Sequence, residues 1–317
     1  MLVSGSETAL GLSLLVQQVL TDLAVAFGHS FVITEDKASA LSRHEYGSPM
    51  TEELIENAAD CDGILYLSPD REGLPELAEG LGCILGCHVF ALPDALNEFS
   101  ALKTDQLPRG LLAYPLTGRE EDWETCADSL FELSKELKFS VAVISFSGER
   151  GERWNQAVRA AETKQQVLSE KVSAQDFIRK LIENPQEMGS LLAAPALAHS
   201  SIYAAATALC GKAESFVYDS FWNVKGPRLY SSILSDAASA ETVNPFGALF
   251  AACDMLKHGF GLNKEAEFLF TCCKNALEAG WRTADTAAGD EAGVVPAQDI
   301  IRIISEQIEL VAALTPR

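Results

Sequence analysis

The chain has 317 residues, 48% of them hydrophobic, and a formal net charge of −21. That apolar content can bury a large core, and the length favours two domains over one. The acidic balance excludes nucleic acid as a partner, because phosphates would be repelled and no Lys/Arg cluster compensates locally.

Apolar positions from Leu10 to Val25 predict a helix over residues 10–26, ended by Gly28-His29. Ser30-Phe31-Val32-Ile33-Thr34 reads as a strand. In residues 46–56, Thr51 is placed to cap a helix whose first turn holds Glu52 and Glu53, where carboxylates complement the dipole. Asp62 to Ser68 reads as a buried parallel strand, and Leu74 to Ala91 as a helix passing into a strand. The spacing Gly80-x-Gly82-x-x-x-Gly86 hints at a dinucleotide loop. It lies between a helix end and a strand, the reverse of the Rossmann order, and is set aside.

Leu111 to Gly118 carries another strand, Trp123 to Leu137 a helix, and Phe139 to Phe146 a buried strand. Residues 152–188 hold a long helix around Trp154 and a second helical stretch from Asp176 to Pro185. The alanine-rich residues 188–215 predict helices that approach a neighbour closely, in a subunit interface or within the domain core. Within them, His199 is a candidate acid or base, or a hydrogen-bonded structural histidine. Further on, Asp236 could bind a ribose hydroxyl or cap a helix.

The last third is the most clearly punctuated. Asn244-Pro245 opens an apolar helix, since Asn caps and Pro lacks an N–H that would be unsatisfied anyway. Lys257-His258-Gly259-Phe260-Gly261 stops it, a second amphipathic helix runs from Lys264 to Ala279, and Gly280 turns into Trp281-Arg282-Thr283-Ala284-Asp285. The eight cysteines lie mostly in apolar runs with no CxxC or Cys/His metal spacing, as buried thiols of a reducing cytoplasm would. Met1-Leu2-Val3-Ser4-Gly5 lacks a basic n-region and no apolar run reaches spanning length by residue pattern, so the expected location is cytoplasmic, with no membrane partner.

The series Asn-Pro, small and apolar residues to Met255-Leu256, a Gly-x-Gly turn, and Gly-aromatic-Arg-Thr-Ala-Asp resembles the isopropylmalate/isocitrate dehydrogenase family, the β-decarboxylating dehydrogenases. The order holds along nearly the whole chain, most closely at 46–56, 176–185 and 244–285. The resemblance implies an α/β, isopropylmalate dehydrogenase-like fold of two α/β domains with a central cleft. The first would be discontinuous, residues 1–95 plus 222–317. The second would be residues 96–221, with dimer-forming helices but no clasp arm, because Thr117-Gly118 passes at once to Arg119-Glu120-Glu121-Asp122-Trp123.

The family's cofactors are NAD and Mg²⁺ or Mn²⁺, and its chemical groups fall on unlike residues here. Substrate arginines fall at Ala78, His88 and Tyr114, the metal aspartates at Ser173, His199 and Tyr203, and the proton-transfer lysine at Arg150. The glycine-rich first turn keeps one glycine, Gly5, with Ser6 in place of aspartate, and the adenine loop reads Leu229 to Ser239. Residues that build core and caps persist, whereas groups for cation, carboxylate and adenosine do not.

The resemblance thus implies a divergent member unable to perform metal-dependent oxidative decarboxylation, with a ligand-binding or regulatory role. It would bind a small molecule and act as a homodimer or beside a catalytic paralogue. The alternatives are an active NAD-dependent dehydrogenase on a small 2-hydroxy acid such as 3-isopropylmalate, or non-redox lyase chemistry. The cleft candidates are His88, Tyr114, His199 and Tyr203; the cofactor candidates are Asp236 and Asn244; no metal site is expected.

Overall fold

The computed structural model describes all residues except 103–105, 118, 189–190, 194–195, 224–225, 235–238, 240–241, 288–292 and 315–317, with backbone alone at 187–188, 191–193, 196–197 and 311–314. In chain order the elements are β1 (Leu2–Ser4), α1 (Glu7–Phe27), β2 (Glu35–Lys37), α2 (Ser39–Tyr46), α3 (Glu52–Ala59), β3 (Gly63–Ser68), α4 (Leu74–Gly80), β4 (Leu85–Phe90), β5 (Gly110–Pro115), α5 (Trp123–Leu137) and β6 (Val141–Ser145). There follow α6 (Glu149–Gln165), β7 (Ser169–Ser173), α7 (Ala174–Glu183), β8 (Leu191–Ala193), α8 (Ala196–Cys210), β9 (Tyr218–Trp222), β10 (Arg228–Ile233), α9 (Phe246–Asp254), α10 (Asn263–Glu278) and α11 (Ala297–Leu314).

The chain forms two compact α/β units. The first comprises Met1–Leu81, Ser215–Tyr218 and Gly226–Arg317; the second comprises Gly82–Glu214 and Asp219–Lys225. In the first, the strands run in the order β2-β1-β3-β10, all parallel. β3 is buried throughout, as a parallel strand covered on both faces must be. Ser6 caps α1 by accepting from the amide of Ala9, and Gly28 closes it in the left-handed conformation. Gly5 survives for packing: a Cβ there would lie 2.2 Å from Ser68 Oγ.

Two sequence expectations change in this unit. The strand expected over 30–34 is irregular chain, and β2 begins at Glu35. His29 is held by Glu265 of α10 at 2.7 Å and Phe31 packs towards Phe260, so the chain reaches the sheet only where the Thr34 carbonyl accepts from the Leu2 amide. And α1, 21 residues long with an 18-residue stretch of mean hydropathy 1.6, is long and apolar enough to cross a bilayer. It packs here on α11, with Leu12, Val16, Val19, Leu20 and Leu23 buried. Its polar residues lie scattered among the apolar ones, which is why no unbroken run stands out in the sequence.

In the second unit the order is β9-β4-β5-β8-β6-β7. β4 and β5 are antiparallel, while β5–β8, β8–β6 and β6–β7 are parallel. The helices α5 and α6 pack together through Trp123 and Trp154, whose rings meet edge to face at 5.8 Å. The sequence reading had no strand at β7, β8 or β9. Each is only three to five residues long. β7, at an edge, sets Glu170 beside Lys171 with Val172 its single apolar residue, β8 is only three residues long, and β9 carries Asp219 and Ser220 among its aromatics, so none offers an apolar run as long as that of β3 or β6.

Candidate functional site

His88 lies in β4, where it pairs with Leu112 of β5, and Gly86 pairs with Tyr114. Residues two apart on a strand share a face, so His88 and Tyr114 are diagonal neighbours on one side of the sheet. Gly86 makes room for the tyrosine: a Cβ there would lie 2.5 Å from Tyr114 Cζ. The rings of His88 and Tyr114 consequently stack with centroids 5.0 Å apart.

Above them runs α8, on which His199 and Tyr203 are one turn apart and so point the same way. Tyr203 stacks on His88 at 3.8 Å and Tyr114 lies 3.9 Å from His199. His88 Nε2 is 2.8 Å from His199 Nε2, and the other nitrogen of His88, Nδ1, is bonded to the carboxylate of Asp219 in β9. His88 is 1% exposed and Asp219 2%, whereas His199, Tyr114 and Tyr203 are half-buried.

A buried carboxylate is costly unless a donor or a charge meets it. Asp219 meets His88 Nδ1–H, which fixes the imidazole and leaves Nε2 to engage His199. A chain of carboxylate, imidazole and imidazole results, walled by two phenols, with its inner end dry and its outer end reachable. Such a chain can hold or move a proton at His199. Among the described residues it supplies one carboxylate, bonded inward.

Four of the six residues selected from sequence thus come together: His88, Tyr114, His199 and Tyr203. Asn244 lies in the first unit, where its Oδ1 accepts from the Phe246 amide at 3.0 Å and its Nδ2 donates to Ser215 Oγ at 3.0 Å, which makes it the cap of α9. Asp236 lies outside the described residues. Asp219 went unselected. Its signal was legible all the same, as a lone charge within Val217-Tyr218-Asp219-Ser220-Phe221-Trp222, a run otherwise fit for a core strand.

The other positions at which the resemblance places chemical groups are engaged structurally. Ala78 is buried in α4. Ser173 caps α7, accepting from the Asp176 amide at 3.1 Å and donating to Asp176 Oδ2 at 2.7 Å. Arg150 pairs with Glu120 at 2.7 Å, its guanidinium 5.7 Å from the Trp123 ring centre. Leu229 is fully buried in β10. A hard divalent cation takes charged oxygen ligands, and the set Ser173, His199 and Tyr203 does not fit one. Among the described residues, no three His, Cys, Asp or Glu side chains gather in a metal-holding group.

The architecture defines an α/β protein of the isocitrate/isopropylmalate dehydrogenase type. The crystal structure of a β-decarboxylating dehydrogenase from Thermococcus kodakarensis superposes over 97% of this chain and 95% of its own, with a TM-score of 0.75 at 18% identity. That of isocitrate dehydrogenase from Methylococcus capsulatus covers 97% and 98%, with a TM-score of 0.78 at 12% identity. In sequence, a 3-isopropylmalate dehydrogenase of Halalkalibacterium halodurans is 25% identical over 86% of this chain and 88% of its own length. The family model described as isocitrate/isopropylmalate dehydrogenase matches residues 232–304, the stretch holding α9, α10 and the Trp281-Arg282-Thr283-Ala284-Asp285 turn. The chain is thus similar to isocitrate/isopropylmalate dehydrogenases in fold over nearly its whole length, and in sequence most clearly at residues 232–304.

Proposed function

We propose that this protein binds a small molecule in a ligand-binding or regulatory role and does not carry out metal-dependent oxidative decarboxylation. One observation carries the reading: His199 and Tyr203, at positions where the resemblance places metal carboxylates, are built into a stacked imidazole and phenol cluster around His88. That reaction needs a cation to polarise the hydroxyl and keto oxygens, a proton acceptor and a fixed nicotinamide. An imidazole already engaged by another carries no negative charge and supplies no substitute for a carboxylate at a Mg²⁺ ion. The protein would act in the cytoplasm, as a homodimer or beside a catalytic paralogue.

A second reading is favoured by the matches to curated 3-isopropylmalate dehydrogenases along 85–86% of the chain. It makes the protein an active NAD-dependent dehydrogenase on a small 2-hydroxy acid such as 3-isopropylmalate. Calorimetry with NAD, with and without Mg²⁺, separates the two, together with an NADH absorbance assay on 3-isopropylmalate. The first reading expects no Mg²⁺-dependent heat and no NADH. Saturable NAD binding strengthened by Mg²⁺, with turnover, would replace it by the second.

A further inference from the structure

The first unit holds a cavity of about 530 Å³, within the range that encloses small-molecule ligands, roughly 300–1,000 Å³. Two departures from regular structure make it. Phe31-Val32-Ile33 has the residues of a strand, yet it arches clear of the sheet between two anchors, His29 on Glu265 at 2.7 Å and the Thr34 carbonyl on the Leu2 amide at 2.8 Å. On another wall, α9 runs on into a π turn, Met255–Gly259, where the Phe260 amide donates to the Met255 carbonyl at 3.1 Å. The widened turn sets Phe260 against the sheet at a point where only glycine leaves room. A Cβ on Gly63 would lie 3.0 Å from Phe260 Cε1 and 3.2 Å from Met255 Cγ.

The lining divides into an apolar interior and a polar opening. Leu2, Leu20 and Met255 are buried on it, and Phe31, Ile33 and Leu262 are half-buried. Protein interiors are close-packed, so a space of this size deprives its lining of the contacts that a packed neighbour would make. Water there meets few polar partners and is displaced by an apolar body at little cost. The polar side chains are those of Ser30 and Asp62, both exposed and therefore at the opening, and both accept hydrogen bonds. None of the described lining residues is Lys, Arg or His. The Met1 amine bonds to the Gly63 carbonyl at 2.8 Å, and burial pushes it below its ordinary value.

We propose that this cavity binds a small, largely apolar molecule whose one hydrogen-bond donor, a hydroxyl or an amine, is directed to Asp62 at the opening. Phe31 and Phe260, with ring centroids 6.3 Å apart and planes tilted by 44°, suit an aromatic body. A carboxylate or phosphate is turned away, because it would face the Asp62 carboxylate on a chain of net charge −21 with no basic side chain on the described lining to receive it. The site is therefore no second place for a small acid or a dinucleotide. It lies in the first unit and does not depend on the imidazole cluster of the second.

Two fluorescent probes added to the full chain test this. Phenylnaphthylamine is a neutral pair of aromatic units joined through an N–H donor; anilinonaphthalenesulfonate has the same frame with an added anion. Phenylnaphthylamine should bind saturably at one site per chain, and the sulfonate about tenfold more weakly or worse. Ile33→Trp, which fills the cavity, should weaken phenylnaphthylamine by about tenfold or more, and Asp62→Asn should narrow the gap between the probes. Methyl carbon-13 spectra of the methionines locate the probe in wild type. The Met255 signal, assigned with Met255→Leu, should move on binding, while that of Met50, whose methyl packs beside Gly73, should not. Neither NAD nor 3-isopropylmalate should displace the probe. No saturable binding, equal affinity for the two probes in wild type, an unmoved Met255 signal or displacement by NAD would each overturn the site, and all four are read on wild type whether or not I33W folds.

Discussion

The guanidinium of Arg282 reaches back to the end of the preceding helix: Nη1 donates to the carbonyl of Leu277 at 2.8 Å and to that of Trp281 at 3.0 Å. Arg282 is 4% exposed, and the last carbonyls of a helix have no partner within it. The residues that carry the family resemblance most sharply therefore work as a helix stop. Arg282→Ala should cost about 2–4 kcal/mol, because it removes a charged donor shared by two carbonyls and leaves a cavity, although the Leu277 carbonyl keeps the Gly280 amide. Urea unfolding read by circular dichroism checks this. A change within about 0.5 kcal/mol, the range of ordinary surface substitutions, would refute the structural role.

Asn244 sits at the other end of the same segment. Its backbone N–H donates to Asp285 Oδ2 at 3.2 Å, while its side chain caps α9 and holds Ser215. Burial pushes the Asp285 carboxyl above its ordinary value, against the lowering effect of its bonds to Thr283 and Asn244. Asn244→Ala should lower stability by about 1–2 kcal/mol, as cap losses do. Asn244→Asp keeps the capping oxygen but sets a second carboxylate near Asp285. Its deficit should shrink as the pH is lowered towards the range in which both are protonated. A pH-independent deficit in N244D would show that the two side chains do not interact.

These bonds also explain what could be read from the sequence. Helix stops at Gly28 and Gly280, the caps Thr51 and Asn244, and the buried run of β3 each have a local cause, and local causes are visible in order along a chain. β2, β7, β8 and β9 depend on distant partners: β8 becomes a strand because β5 and β6 flank it, and Leu191-Leu192-Ala193 says little alone. The site divides the same way. His88, Tyr114, His199 and Tyr203 could be chosen because a resemblance named their positions, but their meeting depends on the β4–β5 register and on α8 crossing that face. Asp219 was passed over because no spacing ties it to a histidine 131 residues earlier.

The thiols give a stability prediction with a definite sign. Burial pushes Cys83, Cys126 and Cys210 up to about 12 from 9.0 and Cys272 up to about 11, and holds Cys253 and Cys273 well above that ordinary value. Below pH 9.0 both folded and unfolded thiols keep their protons and the term vanishes. Above it the unfolded chain ionises first, so it binds fewer protons than the folded one and stability falls as pH rises. Tyr66 and Tyr218, raised above 10.0 by burial, steepen the fall. The urea midpoint should therefore drop between about pH 8 and pH 11. Replacing Cys83, Cys126 and Cys210 together with alanine should lower the midpoint at the start of that range and flatten its slope. An unchanged slope in the triple variant would mean that these thiols ionise in the folded state.

Gly86 offers the most direct test of how the imidazole cluster is assembled. The ring of Tyr114 occupies the space over Gly86, and a methyl group there would stand 2.5 Å from Cζ and 2.8 Å from the phenol oxygen. Gly86→Ala must therefore push the ring outward, away from His88 at 5.0 Å and His199 at 3.9 Å. The overpacking should cost about 1–3 kcal/mol, and the ring protons of both histidines should shift as the phenol's ring current leaves them. Tyr114→Ala alone loses the stacking and its buried area. In the double variant G86A/Y114A the new methyl group has nothing to displace, so the two losses should fall short of additive by about 1–2 kcal/mol. Strict additivity, with the histidine signals unmoved in G86A, would mean that Tyr114 does not rest on Gly86 and that the phenol does not hold the imidazole pair in place.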